Sequence, residues 1–187
     1  MKNLSKAKRS ASKRALSFLF VAIVFIGLVA WGPTRKTYSN RFITFSYPDT
    51  YRITDVVDGG DEYDLCCEIK GDDLATINFS MTDSEDFLYL DQDEKDMALK
   101  YGAMSMKEEF TGNDYYSGLK CTEIKKIKKG NYTGFGFTFT ATVITLKIQG
   151  ECFITCHGAT LLATVAQAET TNYMSQLNEI ISSIKIK

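Results

Sequence analysis

Residues 132 to 143, YTGFGFTFTATV, alternate so regularly that they constrain the fold of the whole chain. Phe135, Phe137 and Phe139 are separated by single Gly or Thr residues. Successive side chains of a β-strand point to opposite faces of a sheet, so the pattern predicts a strand with an aromatic stripe on one face. Residues 119 to 127, LKCTEIKKI, form a second strand-like segment, and a KGN turn joins the two. The sequence therefore predicts a hairpin within an antiparallel sheet.

Further strands are predicted on both sides of this hairpin, from apolar or alternating runs bounded by turn residues. They are two short strands within residues 41 to 53, joined at Pro48-Asp49; a hairpin of residues 65 to 70 and 74 to 81; and strands at about 144 to 156 and 160 to 168, joined near His157-Gly158-Ala159. Residues 55 to 64 are expected to form an acidic loop, and residues 82 to 92 an irregular acidic segment.

Two segments have helical periodicity. In residues 93 to 110, Met97, Tyr101 and Met104 recur at helical spacing, and Gly112-Asn113 ends the helix. Near residues 171 to 184, an apolar face follows a Thr-rich start. That face contains Tyr173, Leu177, Ile180, Ile181 and Ile184.

The last two strands, CFITC and LLATVAQA, are apolar on both faces, which indicates that both faces of the sheet are covered. The two helices can supply this cover. The predicted fold class is therefore α+β, with an antiparallel sheet covered by helices on both faces as an α/β/α sandwich.

Two segments resemble the opening and closing segments of the PsbP-like superfamily: FITFSYPDTYRI, residues 42 to 53, and GECFITCHGATLLATVAQAETTNYMSQLNEIISSIKI, residues 150 to 186. The superfamily opens with an F-x-x-P-x-x-aromatic hairpin, which Phe45, Pro48 and Tyr51 match, although Trp is frequent at the position of Tyr51. The resemblance spans residues 41 to 187. It implies a bacterial membrane-anchored member of the superfamily, with a binding or assembly role and no shared catalytic set.

Residues 15 to 31, ALSFLFVAIVFIGLVAW, contain no charged residue and follow a basic segment, residues 1 to 14. As a helix they reach about 25 Å, close to the roughly 30 Å hydrocarbon core of a bilayer. Trp31, Arg35 and Lys36 suit the membrane interface. The stretch is therefore predicted to be a transmembrane helix.

A cleavable signal peptide is the alternative, with Ala30-Trp31-Gly32 as its best cleavage site. Pro33 follows directly and disfavours cleavage, so an uncleaved anchor is expected. Basic residues are denser before the apolar stretch than after it, which places the N-terminus in the cytoplasm. The predicted organisation is a basic cytoplasmic tail (1–14), a transmembrane signal anchor (15–31), a tether (32–40) and an extracytoplasmic PsbP-like domain (41–187).

Charge is distributed unevenly along the chain. Of the 22 basic residues, eight lie in residues 1 to 40, so the other 147 residues carry 14 basic residues against 23 acidic ones. An acidic body is repelled by phosphates, and no nucleic-acid partner is expected.

Five cysteines and one histidine are the candidates for nucleophilic or zinc chemistry. Cys156 and His157 are adjacent, and adjacent strand residues point to opposite faces. Cys152 and Cys156 are about 13 Å apart along a strand, too far for shared tetrahedral coordination. Most of the cysteines are therefore interpreted as buried apolar residues. We predict no catalytic residues, no metal ligands and no cofactor.

Acidic runs offer oxygen ligands that calcium prefers, but neither has the order of an EF-hand loop. They are interpreted as solvated loops, with a weak divalent site as the alternative. The runs comprise Asp58, Asp61, Glu62 and Asp64, and Asp83, Glu85, Asp86, Asp91 and Asp93.

A lysine cluster at a hairpin tip is the candidate partner-binding site. Lys125, Lys126, Lys128 and Lys129 stand on an otherwise acidic body and can meet an acidic partner or lipid headgroups. The alternative is that these lysines protect a strand edge.

The function predicted from the sequence is a membrane-anchored, non-catalytic binding or assembly module on the outer side of the cytoplasmic membrane. It acts through contacts with an unknown protein partner, and it meets the membrane through residues 15 to 31. One alternative is a domain that binds a small ligand or a divalent ion between sheet and helix. A Cys-dependent enzyme is the other.

Overall fold

The computed structural model describes residues 34 to 187. The predicted tail and transmembrane anchor, residues 1 to 31, and the first residues of the predicted tether lie outside the described residues. Among residues 34 to 187, no helix has the length and apolar character needed to span a membrane. Residues 35 to 187 form one unit, and its secondary structure follows the predicted hairpins closely.

The described part of the chain contains eleven strands and three helices. The strands, β1 to β11, are Arg35–Ser39, Ile43–Pro48, Tyr51–Asp58, Glu62–Ile69, Ala75–Asp83, Ser117–Cys121, Lys125–Lys129, Tyr132–Val143, Leu146–His157, Thr160–Ala168 and Lys185–Ile186. The helices, α1 to α3, are Asp86–Tyr89, Gln92–Thr111 and Thr171–Ser182.

Eight strands form a large antiparallel sheet in the order β3-β4-β5-β10-β9-β8-β6, with β7 also paired to β8. The predicted hairpins β4–β5 and β9–β10 are confirmed. Residues 119 to 127 pair with β8 as predicted, but they belong to two strands, β6 and β7, with residues 122 to 124 between them. Gly158 has φ +58° in the turn between β9 and β10, a conformation that favours glycine. The α+β class with a large antiparallel sheet is therefore confirmed.

Three strands form a second sheet in the order β1-β2-β11. The two strands predicted within residues 41 to 53 exist as β2 and β3, but they belong to different sheets. The interpretation of residues 32 to 40 as a tether needs correction, because β1 pairs with β2 from Arg35 opposite Pro48 to Ser39 opposite Thr44. Strand β11 was not predicted, since two residues are too short to show alternation.

The acidic loop predicted for residues 55 to 64 is wrong in extent. Strand β3 continues to Asp58 and β4 begins at Glu62, so only a tight turn separates them. A bulge interrupts their pairing between Thr54 and Val57, and Asp55 has φ 51°. The irregular segment 82 to 92 contains the end of β5 and the one-turn helix α1.

The two longer helices lie on opposite faces of the large sheet. Helix α2 packs on β8 and β9, whereas α3 packs on β10, β5, β2 and β9. Strand β10 shows the division: Leu162 and Ala166 pack in the cluster that contains Leu177 of α3. Leu161 and Ala163 pack in the cluster that contains Leu99 of α2. We call these two sides of the sheet the α3 face and the α2 face.

Helix α2 buries a different stripe from the predicted one. Met97, Tyr101 and Met104 are exposed, with 55%, 64% and 39% of their surfaces accessible, whereas Leu99 and Ala103 are buried. A Cβ on Gly102 would lie 2.8 Å from Cδ1 of Ile154, so this glycine permits close approach of the helix to β9. The small residues Gly102 and Ala103 therefore favour packing of this side of α2 against the sheet.

The aromatic stripe of β8 is confirmed. Phe137 and Phe139 are buried beneath Phe110 of α2, with ring centroids 6.2 Å and 5.0 Å from that of Phe110. Gly150 lies opposite Phe139 on β9, and a Cβ there would be 2.2 Å from Cζ of Phe139. The ring of Phe139 thus occupies the space that a side chain at residue 150 would need.

Helix cover is incomplete on the α2 face. Strand β5 alternates between buried Ile77 and Phe79 and exposed Asn78 and Ser80. The exposed residues are polar, as expected where a sheet faces water. The prediction that both faces are covered therefore holds for β10, whereas β5 keeps a polar α2 face and β8 is exposed on its α3 face at Thr138 and Thr140.

Candidate binding surfaces

The lysine cluster predicted from the sequence lies on an edge strand. Both β6 and β7 pair with β8 along the side that β9 leaves open, and within residues 34 to 187 no other strand pairs with β7. Alternation along β7 places Lys125 and Lys129 on the α3 face and Lys126 and Lys128 on the α2 face. The four lysines therefore do not form one patch.

Two of these lysines are held by internal ion pairs. Lys126 pairs with Asp96 of α2 and lies 6.0 Å from the ring centroid of Phe135. The same contact, with its hydrogen bond, lowers the pKa of the Asp96 carboxyl. Lys129 pairs with Glu151 of β9 and donates a 2.7 Å hydrogen bond to Oδ1 of Asn178.

Lys125 and Lys128 are exposed, and no described residue forms an ion pair or side-chain hydrogen bond with them. They are the two members of the cluster that remain available to a partner. One side of β7 has no strand partner among residues 34 to 187, and lysines along such an edge disfavour its pairing with another sheet.

A polar cleft lies on the α3 face, where β8 and β9 extend beyond the cover of α3. Its volume is about 490 Å³. We call it the polar cleft and define it by its polar lining: Thr138, Thr140, Gln149, Glu151, Thr171, Ser175 and Asn178. Glu151 is 9% accessible, and Lys129 approaches its carboxylate from β7. No local sequence pattern indicates this cleft, because its lining comes from three separate segments of the chain.

An acidic groove lies on the α2 face, between α2 and the polar side of β3 to β5. Its volume is about 480 Å³. Its carboxylates are those of Asp55, Asp64 and Glu109, and none of its lining residues is basic. A smaller cavity of about 200 Å³ adjoins it and shares Met106, Glu109 and Val165. A groove lined by carboxylates and by no basic residue attracts cationic groups of a ligand or partner.

The five cysteines are buried or half-buried and unpaired within the described residues. Burial raises the pKa of the Cys67 thiol to about 12 and also raises the pKa of the Cys152 thiol. Burial likewise raises the pKa values of the Cys66, Cys121 and Cys156 thiols. These thiols are protonated near neutral pH, whereas the thiolate is the nucleophile.

Cys156 and His157 are not brought together. Cys156 packs beside Leu99 and Ile154 on the α2 face. His157 is exposed, and its ring lies edge-on to Tyr132 with centroids 5.8 Å apart. In this arrangement His157 is therefore not placed to act as a base for the Cys156 thiol.

The acidic runs are also dispersed. Asp58 pairs with Arg41 at 2.8 Å, and Asp83 accepts a 3.0 Å hydrogen bond from Thr160. Asp91 caps α2 by accepting from the backbone N–H groups of Asp93 and Glu94. Within residues 34 to 187, no three His, Cys, Asp or Glu side chains are grouped as metal ligands would be.

Comparison with solved structures places this architecture in a known fold class. The chain is similar to PsbP (CyanoP) from the cyanobacterium Synechocystis, with a TM-score of 0.57 and 11% identity over 83% of this chain and 94% of that one. It is also similar to the Ran-binding protein Mog1p of Saccharomyces cerevisiae, with a TM-score of 0.52 and 11% identity over 83% of this chain and 96% of Mog1p.

A third similar structure is LpqN of Mycobacterium tuberculosis, a protein involved in cell envelope biogenesis. Its TM-score is 0.51, with 14% identity over 82% of this chain and 91% of that one. The body of the chain therefore has the PsbP-like fold, as the resemblance of its first and last segments predicted. No protein-family model matches the sequence, and no curated protein matches it in sequence.

Proposed function

We propose that this chain is a non-catalytic binding or assembly module that recognises a protein partner through the exposed lysines of β7. The observation that carries the proposal is the difference among the four lysines. Lys126 and Lys129 stabilise the fold through Asp96 and Glu151, whereas Lys125 and Lys128 have no such partner among the described residues. On a body with 14 basic and 23 acidic residues beyond residue 40, they place one positive charge on each face of the edge strand β7, and an acidic partner binds along that edge.

The structural neighbours support this class of function. Mog1p is a Ran-binding protein, and LpqN is involved in cell envelope biogenesis. The protonated state of the buried thiols and the separation of Cys156 from His157 disfavour a Cys-dependent enzyme.

We further propose that residues 15 to 31 stay in the cytoplasmic membrane and hold the body on its outer side. The apolar stretch and its basic flank support this topology. Strand β1 begins at Arg35, so at most about 15 Å of extended chain separates Trp31 from the body. The chain should resist alkaline carbonate extraction and keep its full mass. A soluble chain whose N-terminus begins at or beyond Pro33 would contradict the membrane anchor but not the partner site.

The partner site is tested by site-specific photo-crosslinking in native membranes. A photo-reactive residue at Thr133, which is exposed and lies opposite Lys128 on β8, should give a discrete adduct. One at Lys100 should give none, since Lys100 is also exposed but lies on α2. The double charge reversal Lys125→Glu with Lys128→Glu should abolish the adduct while leaving the fold unchanged. Equal adducts at both positions, or an adduct that survives charge reversal, would refute the site.

A further inference from the structure

The polar cleft has the size and position of a small-molecule site. Its volume of about 490 Å³ lies within the roughly 300 to 1,000 Å³ of pockets that hold small ligands. Its floor is set by strand register, because Thr138 pairs with Glu151 and Thr140 with Gln149 on adjacent strands. These four side chains therefore share the α3 face.

The wall of the cleft is one side of helix α3. Thr171, Ser175 and Asn178 recur at the i, i+4 and i+7 positions that share one helical face. Nε2 of Gln149 donates a 3.2 Å hydrogen bond to Oγ1 of Thr171 and joins wall to floor. The walls are thus tied together before any ligand arrives, which lowers the ordering cost of binding.

The cleft contains hydrogen-bonding capacity that the described residues do not use. Oε1 of Glu151 is buried and receives no well-aligned hydrogen bond, although Nζ of Lys129 lies 2.6 Å away. The side chains of Thr140 and Ser175 and the amide N–H groups of Asn178 have no hydrogen-bond partner within residues 34 to 187. Lys129 already meets this carboxylate, and Oε1 has almost no accessible surface, so the hydrogen-bonding capacity open to a ligand is that of Thr140, Ser175 and Asn178.

Charge in the cleft selects a neutral ligand. Glu151 is the only charged lining residue, and Lys129 compensates it. A ligand cation near Oε1 would meet Nζ of Lys129, and a ligand anion would meet the carboxylate itself. Hydroxyl groups both donate and accept, which matches the mixed set of hydroxyl, amide and carboxylate groups.

From these observations we infer that the polar cleft binds a neutral, hydroxyl-rich small molecule, of the class of mono- and disaccharides. The side chains of Thr140, Ser175 and Asn178 bind the ligand hydroxyls, and the ion pair of Glu151 with Lys129 holds the floor of the cleft beside them. The inference is independent of the proposed protein-binding role of Lys125 and Lys128, and either can fail alone.

Saturation-transfer difference NMR on the full chain in sugar-free detergent micelles tests the site, with maltose and N-acetylglucosamine as probes at millimolar concentration. Both the floor and the wall can be blocked at exposed positions. Ser175→Phe should reduce transfer at least about fivefold, because the new ring fills the cleft. Thr140→Phe, which fills it from the sheet side, should do the same.

Ser182→Phe is the matched control, since Ser182 is exposed and lies two turns further along α3, about 10.5 Å away. Its saturation transfer should equal that of the parent chain. Absence of transfer to both sugars, or equal transfer in the blocked variants, would overturn the inference. Preferential binding of glucose 6-phosphate would also overturn it, because the ligand class would then be anionic.

Discussion

Nζ of Lys129 on β7 lies 2.6 Å from Oε1 of Glu151 on β9, and both side chains are largely buried, with exposed fractions of 16% and 11%. Strand β8 lies between β7 and β9, so this ion pair bridges three strands of the large sheet. Asn178 extends the bridge to α3. The pair therefore couples the edge of the sheet to its helical layer.

Removal of one member of this pair should destabilise the fold strongly. Lys129→Met leaves a buried carboxylate without its counter-charge, and we expect a loss of about 3 to 5 kcal/mol in the free energy of unfolding. Chemical denaturation provides the measurement. The double variant Lys129→Met with Glu151→Met should regain much of the loss, because no charge then remains buried. If the single and double variants are equally stable, the unpaired carboxylate is not the cause of the destabilisation in Lys129→Met.

Gly150→Ala should destabilise the sheet. The added methyl group would lie 2.2 Å from Cζ of Phe139 and 2.7 Å from the backbone oxygen of Ala166, so strands β8 and β10 both oppose it. We expect a cost of about 1 to 3 kcal/mol from overpacking. Gly59→Ala is the control, since its nearest contact is an ordinary 3.7 Å. Thermal unfolding of both variants decides the matter, and equal melting temperatures would contradict the prediction.

Alkaline pH should destabilise the protein in part through Cys67. Burial holds the pKa of this thiol at about 12 in the folded chain, above its value in the unfolded chain. Because the pKa is higher in the folded chain, the neutral Cys67 thiol contributes its full stabilisation below the unfolded pKa, near pH 9. This contribution to the free energy of unfolding declines as the pH rises towards 12.

Unfolding under reducing conditions at pH 7.5 and pH 10.5 measures this effect. We expect Cys67→Ala to be less stable at pH 7.5 but to lose about 2 kcal/mol less than the parent chain over this interval. Parallel losses in the two chains would show that Cys67 does not contribute to alkaline destabilisation.

The buried stripe of α2 can be verified by a pair of alanine substitutions. Leu99→Ala should cost about 2 to 5 kcal/mol, because Leu99 is buried between α2 and β9. Met97→Ala should change stability by less than about 0.5 kcal/mol, because the side chain is 55% exposed. Urea denaturation distinguishes the two outcomes. If Met97→Ala lost more stability than Leu99→Ala, the buried stripe would be the one predicted from the sequence.

Local patterns predicted the hairpins, whereas long-range relationships had to be observed. The alternation in residues 132 to 143 fixed which side chains of β8 meet a helix. Helix α2 carries two apolar stripes offset by two residues, and periodicity alone does not distinguish them. The stripe containing Leu99 packs on the sheet, because Gly102 and Ala103 allow the helix to approach Ile154 of β9.

The candidate site was only partly predictable for the same reason. The sequence identified the lysines of β7, but Asp96 and Glu151 lie 30 and 22 residues away from the lysines they bind. No local signal indicates which lysines are neutralised in the fold. The polar cleft likewise depends on where α3 leaves the sheet uncovered.

The short strand β11 sets an order of events for the growing chain. Lys185 and Ile186 pair with Thr44 and Ile43, so the small sheet joins segments that are more than 140 residues apart. During synthesis, β2 is made long before β11. Phe42 and Phe45 then lack their native cover until residue 186 has been added, and an early chain exposes these two aromatic side chains to aggregation.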